Sequence, residues 1–105
     1  ALLGAIGPVN AHHSDAGIDM ESTITIEGTV TDFRWRNPHV YFNVDVIDGD
    51  GNAVEWNVQM GAIVPMARMG WDRDTLEAGD RVVVDLHPAV NGRAYGILES
   101  IERDG

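Results

Sequence analysis

The chain has no cysteine and no lysine, and no apolar run in it approaches the ~20 residues needed to span a bilayer. Without cysteine there can be no disulfide, no thiolate zinc site and no thiol nucleophile. Without lysine, seven arginines face seventeen acids, for a formal net charge of −10 that protonating all four histidines would not cancel. Such a chain lacks the basic footprint that phosphate requires, which argues against nucleic acid and anionic membrane surfaces as partners. Its field favours cations, metal ions included. Catalytic signatures are missing as well: there is no Gly-x-Ser-x-Gly elbow, no His-Glu-x-x-His helix, no phosphate loop and no dinucleotide fingerprint. Ser14 directly follows His13, and adjacent side chains in an extended segment point apart, so it makes a poor nucleophile. The chain reads as a non-enzyme, with a copper-dependent oxidase as the minor exception.

Hydrophobic residues make up 44% of the chain, with three tryptophans, which argues for a folded globule and against disorder. Its 105 residues suffice for one modest core. From Thr23 the pattern alternates, with Ile24, Ile26, Gly28 and Val30 on one face. The apolar phase then slips to Phe33 and Trp35, which predicts a bulge or sharp bend near Thr31-Asp32 and one long strand serving two sheets. Val40, Phe42, Val44 and Val46 predict a second strand; Val54, Trp56, Val58 and Met60 predict a third. Asp48-Gly49-Asp50-Gly51-Asn52 joins these two as a hairpin turn and lacks the length and terminal Glu of a calcium loop. Ala62 to Met69 reads as a short helix with Ile63, Met66 and Ala67 on one side and Gly70 as its stop. Strands over Arg81–Leu86 and about Arg93–Ile101 complete the chain. Three strands, a short helix and two more strands predict an all-β fold, a small five-stranded OB-like barrel with the helix between strands three and four. A small β-sandwich is the competing architecture.

At the amino-terminal end, Ala1 to Pro8 is apolar and uncharged, and Val9 and Ala11 are the small residues that signal peptidase requires around a cut after Ala11. Residues 1–11 therefore read as a signal-peptide remnant and 12–105 as a single OB-like domain, periplasmic or secreted. Cleavage there would make His12 the first residue, able to chelate a metal through both its α-amine and its imidazole.

His39 opens strand two within Trp35-Arg36-Asn37-Pro38-His39 and shares the odd-numbered outer face with Tyr41 and Asn43, at a barrel rim. The stretch from Ser14 to Thr23 is long enough to fold back to it at ~3.3 Å per residue. The expected metal site is His12, His13 and His39. Its nitrogen-rich donors suit copper first, as Cu(II), then nickel or zinc. Asp15, Asp19 or Met20 are candidates to complete the shell. The ligands must be neutral to bind, so affinity should fall with pH through the ordinary α-amine (~7.7–8.0) and imidazole (~6.5) ranges. His87, at the end of strand four, reads as structural. Met20, Met60, Met66 and Met69 offer soft donors for Cu(I), although core packing is the simpler account of them. The competing functional class is a metal-independent module whose face around Trp35, Tyr41 and Trp56 holds a protein partner or small ligand.

His12-His13-Ser14, Gly28-Thr29-Val30-Thr31, Trp35-Arg36-Asn37-Pro38-His39, Gly70-Trp71 and Leu76-x-x-Gly79-Asp80-x-Val82 together resemble a family of small secreted bacterial proteins of uncharacterised function. The resemblance spans nearly all of the chain after Ala11. It implies export and a shared small β-fold, and no activity. Members commonly carry Phe after the His-His-Ser, where this chain has Asp15.

Overall fold

Alternation in the first strand has a direct physical outcome: Ile26, Gly28 and Val30 are buried while Thr25 and Glu27 face solvent. This computed structural model describes residues 17–104. The predicted leader, His12 and His13 lie outside the described residues. The elements are β1 (Ile24–Arg34), β2 (Tyr41–Ile47), β3 (Ala53–Gln59), α1 (Ile63–Arg68), β4 (Arg81–Pro88) and β5 (Tyr95–Arg103). The strands close into a barrel in the order β1-β2-β3-β5-β4. Every pairing is antiparallel except β3 with β5, which is parallel.

The expected slip in β1 is present. Its register against β2 shifts between Val30 and Asp32, so the first half of the strand pairs with β4 and the second half with β2. One bulged strand therefore closes the barrel from both sides. Gly28 sits where β1 approaches β2 most tightly, and a Cβ there would run into the Asp45 carbonyl and the Val44 side chain. The hairpin turn between β2 and β3 is held by the Asp48 carboxylate, which accepts from the Asp50 and Asn52 amides, both at 2.9 Å.

Phe42, Val44, Val58, Val84 and Leu86 are fully buried at the barrel centre, and the buried residues among those described include no polar or charged one. Met60, Met66 and Leu76 extend this core to one end. The helix is shorter than the sequence suggests, and only Met66 is buried in it. Ala67, expected on the inner side, is exposed. Fewer than two turns can present only a narrow face, and Met66 occupies it. Pro65 is tolerated because a first-turn amide has no intrahelical acceptor to lose. Gly70, at φ +96°, ends the helix in the left-handed conformation, and Trp71 follows, its ring tilted against Phe33 with ring centres 6.3 Å apart. Among the described residues, no helix is long and apolar enough to cross a membrane.

Candidate functional site

The Trp35–His39 motif lies in the loop from β1 to β2, and two of its side chains tie that loop to the start of α1. The Asn37 side-chain carbonyl accepts the Ile63 amide at 2.9 Å. Ala62, the residue before the helix, supplies no side-chain cap, so Asn37 satisfies one of the orphan amides of the first turn from a different segment. Two residues on, His39 Nδ1 lies 3.2 Å from the Met60 carbonyl oxygen. A carbonyl can only accept, so Nδ1 carries the hydrogen and, in the neutral ring, Nε2 keeps its lone pair. This is the arrangement that orients metal-binding imidazoles through their other nitrogen. The ring is half-buried and meets Tyr41 edge-on at 6.4 Å. It also borders a groove of about 580 Å³ between α1 and β5.

Beside His39, the outer face of β2, β3 and β5 carries a connected polar and aromatic surface. The Gln59 side-chain carbonyl accepts from Tyr41 at 3.1 Å and from Tyr95 at 2.6 Å. The Arg34 guanidinium lies 5.6 Å from the centre of the Tyr41 ring, within cation–π range. Asn43 accepts from Asn57 at 2.7 Å and from Arg34 at 3.3 Å. Burial, with the neighbouring Tyr41, pushes the Tyr95 hydroxyl above its ordinary pKa. Trp35 and Trp56, expected beside Tyr41 on such a face, instead pack against the core cluster.

His87 organises the end of β4. Its Nδ1 donates to the Ser22 carbonyl at 2.9 Å, and its Nε2 lies 3.8 Å from the Glu99 carboxylate. The residues before β1 are fastened there: Ile18 bridges to Ala89, Asp19 donates its amide to Pro88 and Val90 donates to Gly17. Asp19 is held below its ordinary pKa, first by the Ser22 hydroxyl and then by the Glu21 amide. The stretch from Ser14 to Thr23 is therefore not all free tether, because backbone bonds pin it from Gly17 onward to the end of β4. Asp19 and Met20, offered above as extra ligands, accompany it there beside Val90.

Of the three predicted ligands, the structure places His39, and the other two lie outside the described residues. Among the described residues, no three His, Cys, Asp or Glu side chains group as a metal site. Sequence reasoning missed the Asn37 cap, although Asn before Pro at a loop end was a local hint. It also missed the His39–Met60 bond, for which no local signal exists.

Comparison with known proteins identifies a family and a fold. The family model DUF6152, described as a family of unknown function, matches residues 1–99. No curated protein matches. Solved structures that match include the mitochondrial single-stranded DNA binding protein Rim1 from S. cerevisiae. One crystal form has a TM-score of 0.60 at 14% identity, covering 80% of this chain and 96% of that one. A second form scores 0.58 at 14% identity, covering 78% and 92%. The small single-stranded DNA-binding protein from Streptomyces coelicolor scores 0.53 at 24% identity, covering 79% and 92%. These likenesses, with the closed five-stranded barrel, establish an OB fold.

Proposed function

We propose that this chain, which belongs to the DUF6152 family, is a periplasmic or secreted metal-binding OB protein that holds copper, or else nickel or zinc, through His12, His13 and His39. The observation that supports this most is the Nδ1 bond of His39 to the Met60 carbonyl, which leaves Nε2 as a free donor at the barrel rim. Cleavage after Ala11 supplies the rest: a free His12 α-amine, its imidazole and His13. While any residue precedes His12, its backbone nitrogen is a peptide amide and does not chelate as an amine. The acidic surface favours cation capture. Single-stranded DNA, the ligand of the yeast and Streptomyces proteins, is not the ligand proposed, because seven cationic side chains in a chain of net charge −10 offer phosphate little attraction.

Calorimetric titration of protein beginning at His12 tests the reading. Cu(II) should bind more tightly than about 1 μM, and His39→Ala should weaken binding by about tenfold or more. Binding weaker than micromolar, or binding indifferent to His39→Ala, overturns it. Intact-mass measurement of the exported protein checks the cleavage on which the chelate depends.

A further inference from the structure

We propose that the groove between α1 and β5 is a binding site for Cu(I), with the His39 imidazole and the thioethers of Met66 and Met69 as ligands. Three of the four methionines in the chain, Met60, Met66 and Met69, line this groove together with His39, Gly61 and Trp71. The His39 and Met66 side chains both lie against the Met60–Gly61 peptide unit. His39 Nδ1 donates to the carbonyl of Met60, and the Met66 sulfur lies 3.5 Å from the point where a Cβ on the next residue, Gly61, would stand.

Packing accounts for Met60 and Met66, which are 5% and 4% exposed, but not for Met69 at 68%. Met69 stands at the C-cap, three positions after Met66, and lines the same groove. The side chain is apolar, long and flexible, and it lies on the wall of a groove that Met66 and His39 also line. Thioethers are neutral, soft donors that favour Cu(I) over Cu(II), nickel or zinc. In a chain without cysteine they are the softest donors available. Glu99, on the β5 wall, adds negative charge near the entering cation.

The groove site shares His39 with the amino-terminal chelate proposed above and needs neither His12 nor His13, so it does not depend on cleavage. Two titrations of protein beginning at His12 separate the two claims: Cu(II) by calorimetry, and Cu(I) by anaerobic competition with bicinchoninate. Met69→Leu is the decisive variant, because it keeps the volume of an exposed side chain and does not threaten the fold. It should weaken Cu(I) binding by at least about tenfold while leaving Cu(II) affinity unchanged, and His39→Ala should weaken Cu(I) binding as much. X-ray absorption on Cu(I)-loaded selenomethionine protein should show selenium in the copper shell. Unaltered Cu(I) affinity in Met69→Leu, or a copper shell without selenium, overturns the groove site and leaves the Cu(II) reading standing. Cu(I) binding of the expected kind with no Cu(II) binding supports the groove site and overturns the amino-terminal chelate alone.

Discussion

Asn37 and His39, two positions apart in one loop, solve two different problems at the same junction. Asn37 gives the Ile63 amide an acceptor that the helix cannot provide, and His39 binds the Met60 carbonyl three residues before it. Removing a cap of this kind typically costs about 1 kcal/mol. Asn37→Ala should therefore lower unfolding free energy in urea by about that amount, while Asn37→Asp, which keeps the acceptor, should recover most of it. A second residue-scale effect belongs to Asp19. Its carboxyl is held below the ordinary value of 3.8, chiefly by the Ser22 hydroxyl. A depressed folded-state pKa contributes stability that is present above the ordinary value and is lost as pH falls through the lowered one. The Asp19 amide, which donates to Pro88, should lose hydrogen-exchange protection as the medium is acidified through that range. In Asp19→Asn this pH-dependent loss should vanish.

At the scale of elements, β1 carries the architecture, because its bulge lets a single strand pair with both β2 and β4. That bulge was legible from the change in apolar phase after Val30, since side chains alternate faces and an extra residue reverses them. The close approach at Gly28 was not legible, because its alternation fits any small inward residue. Gly28→Val should destabilise the protein by about 1–3 kcal/mol or more in thermal unfolding, through collision with Asp45 and Val44. Gly49→Ala, where the added carbon meets open space, should stay within about 0.5 kcal/mol. The helix was placed correctly and its inner face only partly so. Periodicity assigns Ala67 to the buried side, but a six-residue helix has room to bury Met66 alone.

Across the whole molecule, the order of elements along the chain, the turns and the charge follow from local pattern. Alternating Val, Ile and Phe need one dry face, Gly and Asp mark where the chain reverses, and a surplus of acids sets the sign of the net charge wherever the side chains fall. The amino acid sequence alone therefore determined an acidic five-stranded barrel with a short helix and a His39 at the start of strand two, which the fold leaves half-buried rather than exposed. Tertiary structure decided which groups His39 meets. Its partner carbonyl is 21 positions away, and the methionines that share its groove arrive through a helix and a strand end. Likewise, only the fold shows that the segment from Gly17 is bound to the end of β4, under a His87 bond that joins residues 65 positions apart. Such contacts depend on how the barrel closes, and closure is a property of all five strands together, which no local window of sequence contains.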